Sequence, residues 1–302
     1  MADEDQQRAS SPLSIPLNRR RFFSLTAAAG VGVVGVSALS ACAPGSGSGL
    51  AGSANTIRAA IAGEPDQLDP HKTSAYFSFE VLENVFDTLV EPNEKLEMVP
   101  ALAQGWQVNP DETQWTFTLR PGVRWHNGDP FVAQDVVYSY RRIIDGELSA
   151  SWRFDSVASI EAPDDAHVVI TTHAPSPNLL SSIGGFKGLA IVNKRNVESG
   201  QILSRPIGTG PFSFESRSPA TSIVLKANPG HWSGGPHVDG VAFSFISQGT
   251  TAVSALRSGE VDWTDAIPAQ QLRILDGEEE ITVGTVTAND YWYVAVSYTH
   301  LR

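Results

Sequence analysis

The sequence predicts a mixed α/β fold of the α+β kind, and three observations lead to that prediction. Segments with the period of strands and segments with the period of helices follow one another without strict alternation. The 302 residues are 41% hydrophobic and 18% charged, an ordinary globular composition that suits one large or two medium domains. The chain has a single cysteine, which excludes an intrachain disulfide, so core burial must stabilise the fold.

The negative net charge of the chain limits the classes of partner that it can bind. Lys and Arg number 21 against 33 Asp and Glu, which gives a formal net charge of −12. A protein that binds nucleic acid needs basic surface to replace the counterions of the phosphates. We therefore expect no nucleic acid among the partners.

Residues 1–41 have the features of an export signal. Arg19 and Arg20 precede a pair of phenylalanines and a moderately apolar run, which is the pattern of a twin-arginine signal peptide. The run at 25–41 has the length of a signal-peptide core, and it falls short of the ~20 strongly apolar residues that a spanning helix needs. The alternative is a cytosolic protein with a disordered N-terminal segment.

Cys42 is the candidate lipidation residue. The small residues before it resemble a lipobox, so cleavage would leave Cys42 at the new N-terminus with a diacylglyceryl group on its thiol. Residues 42–55 are rich in Gly, Ser and Ala and predict a flexible tether, whereas a buried cysteine is the alternative. Acyl chains contribute about 0.8 kcal/mol per buried CH₂, so we expect anchoring at the outer face of the cytoplasmic membrane.

The first half of the body begins with a strand-like run at 56–62. Apolar residues at helical spacing then predict a helix over 76–90. Turn-forming residues at 109–112 separate two predicted strands at 106–108 and 113–119. In the second of these strands one buried face is expected to carry Trp115, Phe117 and Leu119.

A helix over 132–144 is the clearest element, because its apolar residues form one stripe. Asp129 and Asp135 lie where acidic side chains stabilise the free N–H groups of a first helical turn. Val132 occupies the N-cap position and offers no oxygen. We therefore expect either that Asp129 caps the helix or that the cap is weak.

The remaining elements follow from shorter patterns. A second hairpin is predicted at 157–162 and 167–172, joined by Pro163-Asp164-Asp165. The later segments comprise a helix at 177–183, strands at 189–192, 210–215, 222–227 and 241–246, and a helix at 249–258 that Gly259 ends.

Three sequence segments carry a family resemblance. They are LRPGVRWHNGDPF at 119–131, GTGPF at 208–212 with NPGHWSGGP at 228–236, and ALRSGEVD at 255–262. Together, and in this order, they resemble the extracellular solute-binding proteins that serve ABC importers of oligopeptides, dipeptides and nickel. The resemblance extends over roughly residues 56–295.

The resemblance implies a two-lobed periplasmic-binding-protein-like fold that traps its ligand between the lobes. The first lobe is expected at 56–282, and 283–302 is expected to cross to a second lobe that is missing or only begun. Family chains are longer, and Ser297–Arg302 matches nothing in the family pattern, so we expect a tail that is truncated, with foreign sequence as one explanation. The implied partners are a peptide, or a nickel chelate or oligosaccharide, and the permease subunits of an ABC transporter, with the binding protein itself a monomer.

The resemblance also places the candidate ligand-binding residues in loops of the first lobe and at the crossover. The loop after the first strand offers Ser74, Tyr76 and Phe77, and 184–187 is a second cleft loop containing Phe186. Asn289 and Trp292 lie near the crossover. Tyr76 alternatively starts the buried face of its helix, and Trp115, Trp125 and Trp232 are expected in the core.

The residues suggest no catalytic or metal chemistry. The seven histidines lack HxxxH or HxH spacing, and we expect them to be solvated, with no metal site. No GxSxG motif occurs, and the only cysteine lies in the lipobox, so we predict that the chain is not an enzyme and has no cofactor. The alternatives are an exported lipoprotein hydrolase, or a surface sensor or chaperone that uses the same fold.

Overall fold

The computed structural model describes residues 55–284. The predicted signal peptide with Arg19 and Arg20, the lipidation residue Cys42 and the tether up to residue 54 lie outside the described residues, as do Asn289 and Trp292. Within residues 55–284, no helix is long and apolar enough to cross a membrane.

The described residues form strands and helices in mixed order. The strands are β1 (Thr56–Ile61), β2 (Val90–Pro92), β3 (Met98–Pro100), β4 (Ala103–Val108), β5 (Gln114–Leu119), β6 (Val157–Asp164), β7 (His167–Thr172), β8 (Phe212–Ser218), β9 (Ser222–Ala227), β10 (Gly240–Phe245) and β11 (Trp263–Thr264). The helices are α1 (Tyr76–Leu82), α2 (Ala133–Asp145), α3 (Leu179–Gly184), α4 (Lys194–Glu198), α5 (Gly249–Arg257) and α6 (Ala269–Leu275).

The five-stranded sheet has the order β11-β1-β10-β9-β8, with β1 parallel to both of its neighbours. Successive side chains of a strand point to opposite faces of the sheet. Ala59 and Ile61 accordingly pack in the cluster that contains α1, while Ala60 packs against α5. Both faces are covered at β1, which explains why its second half reads as a continuous apolar run.

A second, four-stranded sheet is fully antiparallel, with the order β4-β5-β7-β6. The predicted buried face of β5 is confirmed, since Trp115, Phe117 and Leu119 are at most 5% exposed. These side chains share one hydrophobic cluster with the apolar stripe of α2. The mixed α/β class predicted from the sequence is confirmed.

The N-terminus of α2 is capped by Asp135 and not by Asp129. The Asp135 carboxylate accepts a hydrogen bond from the Val132 backbone N–H at 3.0 Å and another from the Trp125 indole at 3.2 Å. Asp129 instead accepts from the Asn127 side chain at 2.9 Å. One carboxylate therefore holds both the start of α2 and the indole of the loop before it.

The predicted helix over 76–90 is wrong in its second half, because α1 ends at Leu82. Beyond that residue the backbone carbonyls accept hydrogen bonds from a distant segment, with Gly210 donating to Val85 and Phe212 donating to Asn84, each at 2.9 Å. Phe86 and Leu89 are buried as an amphipathic helix would require. The spacing of these apolar residues therefore reflects their burial, although the backbone that carries them is not helical.

The predicted strand at 189–192 is also wrong, although all four of its side chains are buried. The backbone of this segment bonds individual groups and not a neighbouring strand. Ala190 accepts from the ring of His71 at 2.7 Å, Val192 donates to the Ser139 hydroxyl at 2.9 Å, and Ile191 donates to the Asp87 carbonyl at 2.9 Å.

Candidate functional site

An open groove of about 1030 Å³ lies beside the edge strand β11. Tyr76 from the start of α1 forms part of its lining, and the other lining residues come from 256–284. Two of its aromatic residues face solvent, since Tyr76 is 70% exposed and Trp263 is 45% exposed. Large exposed aromatic side chains in a concave surface are the usual components of a ligand-binding site.

The β11 side of the groove is attached to the sheet through Arg58 on β1. The Asp262 carboxylate accepts from the Arg58 backbone N–H at 2.8 Å and from its guanidinium at 2.5 and 3.0 Å. The same guanidinium donates to the Gly259 carbonyl at 2.7 Å. These bonds fix the residue immediately before Trp263 and thereby set the position of the aromatic ring.

The side chain of Asp66 holds the loop before Tyr76 through hydrogen bonds. This carboxylate accepts hydrogen bonds from the hydroxyls of Thr73 at 2.6 Å and Ser78 at 2.7 Å. Thr73 in turn accepts from the Ala75 backbone N–H at 3.1 Å. A short polar network therefore determines where α1 begins and turns Tyr76 outward.

Acidic side chains gather where α1 meets the groove. Glu80 is four residues after Tyr76 and therefore lies on the same face of α1. Burial, followed by its interaction with Asp265, raises the pKa of Glu80 to about 8. Burial, followed by the charges of Asp265 and Glu80, raises the pKa of Tyr76 to about 12. At neutral pH this arrangement holds Glu80 mostly protonated and the Tyr76 hydroxyl neutral.

The four described candidate residues have different surroundings. Tyr76 lines the groove, and Ser74 is exposed on the loop beside it. Phe77 is half-buried and packs with the core of the five-stranded sheet. Phe186 is half-buried, with its ring centroid 5.1 Å from that of Phe79. The structure brings none of the other three into the lining around Tyr76, and their binding role stays a prediction.

Sequence reasoning missed Trp263 and Asp265 in the groove lining, and it missed the buried Glu80 that interacts with Asp265. The signal available for Trp263 and Asp265 was their place within three residues after ALRSGEVD, the third family-like segment. Glu80 gave no signal, because an acid within a helical pattern is ordinarily solvated.

The expectation that the histidines are solvated is wrong for His71 and His231, which are 1% and 9% exposed. The ring of His71 lies between Arg142, at 2.8 Å, and the Ala190 carbonyl, and Arg142 also pairs with the buried Asp69 at 2.5 Å. Burial is the main cause that lowers the pKa of His71 to about 4. The neutral ring therefore serves as a structural bridge inside the protein.

A second buried network surrounds Asp87. Its carboxylate accepts from the Thr209 hydroxyl at 2.8 Å and from the Trp232 indole at 2.9 Å, and His231 lies 3.6 Å away. Burial alone would raise the pKa of Asp87, but these neighbours outweigh it and lower the pKa. The tryptophans of the family-like segments accordingly act in the core, with Trp125 2% exposed and Trp232 packed against the larger cluster.

Among residues 55–284, no group of three or more His, Cys, Asp or Glu side chains is arranged to hold a metal ion. A smaller cavity of about 310 Å³ lies at the start of α2, where Arg195 and Asp129 approach to 3.6 Å. Its lining combines charged side chains with Pro130, Val132 and Trp125, and because Trp125 is only 2% exposed the cavity presents no exposed aromatic ring.

Comparison with known proteins gives a consistent result. A sequence profile of the bacterial extracellular solute-binding proteins, family 5, middle region, matches residues 97–300. The periplasmic murein peptide-binding protein MppA of Escherichia coli is 33% identical over 231 residues, covering 69% of this chain and 43% of MppA.

Solved structures of two binding proteins share the fold. AgaA of A. tumefaciens, in complex with agropinic acid, aligns with a TM-score of 0.70 and 28% identity over 74% of this chain and 46% of AgaA. The periplasmic binding protein DppA of Helicobacter pylori, in complex with the peptide STSA, aligns with a TM-score of 0.67 and 26% identity over 74% of this chain and 49% of DppA. The chain spans less than half the length of each of these three relatives.

Proposed function

Since this chain belongs to the bacterial extracellular solute-binding proteins of family 5, we propose that it captures peptides in the groove beside β11 and delivers them to the permease of an ABC importer. This family assignment agrees with the resemblance in the sequence, and the relatives named above are binding proteins and not enzymes. The observation that carries the proposal is the 1030 Å³ groove with Tyr76 and Trp263 exposed in it.

Within this proposal, residues 56–282 serve as the first lobe and the ligand is enclosed when a second lobe closes over the groove. Closure requires contacts that the ligand makes only in the closed form. Exposed aromatic rings supply such contacts, because they bury a large area on binding at a small cost in side-chain entropy. MppA is named for a peptide and DppA was solved with one, whereas AgaA was solved with agropinic acid, and the acidic groove favours peptides over an acid.

A pair of exposed tryptophans allows a matched test in the full-length protein. Trp263 lines the groove, whereas Trp152 is 62% exposed on a 3₁₀ turn outside it. Trp263→Ala is expected to weaken binding of a tripeptide pool by about tenfold, as for a central aromatic contact, and Trp152→Ala to leave it unchanged. Native mass spectrometry measures the retained peptides. Failure of the wild-type protein to retain any tripeptide, or an equal loss in both variants, would contradict the proposal.

We further propose export through the twin-arginine signal at Arg19 and Arg20 and lipid anchoring at Cys42, both of which rest on the sequence pattern. In the native host, Cys42→Ser should move the protein from the membrane fraction to the medium or periplasm. Retention of the variant in the membrane fraction would argue against the anchor.

A further inference from the structure

A further inference rests on the buried carboxyl group of Glu80, which lies on α1 near the exposed aromatic residue Tyr76 of the groove. Glu80 is 9% exposed, and within residues 55–284 neither of its carboxyl oxygens receives a hydrogen bond from any donor. A buried polar group without a donor costs about 1–3 kcal/mol and calls for an explanation. Glu80 does not itself line the groove, but it interacts with Asp265, which does.

The groove has an excess of acidic groups around this point. Its lining includes Asp262, Asp265, Glu278 and Glu280, with one guanidinium, that of Arg257. Asp262 is paired with Arg58 and Glu278 with Arg257. In the part of the chain that the structure describes, Asp265 has no basic side chain within salt-bridge distance. The potential at the Glu80 end of the groove is therefore negative and open to a cation.

The groups beside Glu80 select the kind of cation. The exposed rings of Tyr76 and Trp263 can attract an ammonium or guanidinium group through their faces. A bare divalent metal would need more carboxylate or imidazole ligands, and none of the described residues form such a set. The remaining titratable neighbours are Glu83, which repels Glu80, and Lys187, which attracts Glu83.

Resting on the proposed function, we infer that Glu80 and Asp265 form a subsite for a positively charged organic group of the ligand, an ammonium or guanidinium. Without ligand, Glu80 holds a proton beside the carboxyl group of Asp265. When the cation enters, Glu80 releases its proton to solvent and both carboxylates accept hydrogen bonds from the ligand. Binding is therefore coupled to loss of one proton.

The test uses the full-length protein and two tripeptide probes in calorimetric titrations at pH 7. The probes are N-acetyl-Ala-Lys-Ala-amide, which carries one ammonium group, and N-acetyl-Ala-Ala-Ala-amide, which carries none. The lysine probe is expected to bind at least about tenfold more tightly, because a charge-assisted pair contributes about 1.5–3 kcal/mol. Repeating the titration in buffers with different ionisation enthalpies should reveal release of close to one proton.

Variants separate this subsite from the general negative charge of the groove. Glu80→Gln and Asp265→Asn should each abolish the preference for the lysine probe, and Glu80→Gln should also abolish proton release. Glu83→Gln removes an acidic side chain at the C-cap position of α1 and should preserve both effects. If both probes bind equally and no proton is released, the subsite is wrong while peptide capture stands. If neither probe nor the tripeptide pool binds the wild-type protein, the proposed function fails as well.

Discussion

At the scale of single residues, the protein contains two buried ionisable side chains whose pKa values move in opposite ways. Burial lowers the pKa of His71 to about 4 and raises that of Glu80 to about 8. Both shifts keep the buried group neutral at neutral pH. His71 meets this condition inside a complete hydrogen-bonded bridge, whereas Glu80 lies next to an open groove without a donor.

The two groups affect stability in different pH windows. The folded state binds fewer protons at His71 than the unfolded state between about pH 4 and 6.5, so its contribution is lost as the pH falls through that window. The folded state binds more protons at Glu80 between about pH 4.5 and 8, so its contribution is lost as the pH rises. Between pH 6.5 and 8 only the Glu80 effect operates among these two.

Glu80→Gln should therefore make the protein more stable than the wild type at pH 8. The neutral amide avoids the cost of ionising a buried carboxyl group, a difference on the order of 1–3 kcal/mol. Urea unfolding at pH 6.5 and pH 8 measures the change in unfolding free energy. Glu94→Gln, at an exposed position between β2 and β3, is the control and should shift stability equally at both values. A wild-type protein whose stability is flat over this range would show that Glu80 titrates normally.

At the scale of elements, the sequence-based predictions fail mainly where buried backbone groups hydrogen-bond to distant loops or side chains and not within a helix or sheet. The periodicity of α2 and the alternation in β5 identified those elements correctly, because each packs one regular face against a single core. Residues 83–90 and 189–192 have equally apolar patterns, but their carbonyls and N–H groups bond the segment at 208–212 and isolated side chains. Partners that lie more than fifty residues away leave no periodic trace in the local sequence.

The same contacts explain two glycines of the GTGPF segment. A Cβ atom built on Gly208 would lie 1.8 Å from the Val85 carbonyl oxygen, and one on Gly210 would lie 2.7 Å from the Asn84 and Val85 carbonyl oxygens. These distances are impossible without moving the backbone that follows α1. The GTGPF segment therefore packs closely against the backbone that follows α1. It does not line the groove.

Gly208→Ala is expected to lower the unfolding free energy by about 2–4 kcal/mol, since the clash involves main chain that cannot rotate away. Gly105→Ala is the matched control. A Cβ at Gly105 meets nothing within 4 Å, so that variant should change stability by no more than about 1 kcal/mol. Chemical denaturation compares the two. Equal effects would mean that the chain after α1 shifts easily and that the close approach does not define the fold.

At the scale of the whole molecule, the site was less predictable than the fold. Tyr76 was predicted as a ligand contact because the family resemblance places such contacts in the loop after the first strand, yet the other residues of the groove lining come from 256–284. What joins them is the parallel pairing of β1 with β11 and the ion pair between Arg58 and Asp262, contacts between residues some two hundred positions apart. No spacing rule in one sequence predicts such a pairing, whereas the family resemblance predicts the general architecture.

Few contacts attach strand β11, on one side of the groove, to the rest of the sheet. We therefore expect this side of the groove to respond locally to ligand. Strand β11 pairs with β1 only at Trp263 and Thr264, and the Arg58–Asp262 pair beside it is more than one-third exposed, so it contributes about 0–1 kcal/mol. Local unfolding of residues 263–275 should therefore cost less free energy than local unfolding of the antiparallel sheet, whose strands β5 and β7 are paired over five residues.

Hydrogen exchange on the full-length protein tests this whole-molecule expectation. In the free protein, amides at 263–275 should exchange faster than those of β5 and β7. Saturation with N-acetyl-Ala-Lys-Ala-amide should slow exchange at 263–275 and at the start of α1, because a bound ligand stabilises only the states that contact it. The hairpin of β6 and β7 lies away from the groove lining and serves as the internal control. Protection spread evenly over both sheets would indicate general stabilisation, and protection confined to the hairpin would place the ligand elsewhere in the molecule.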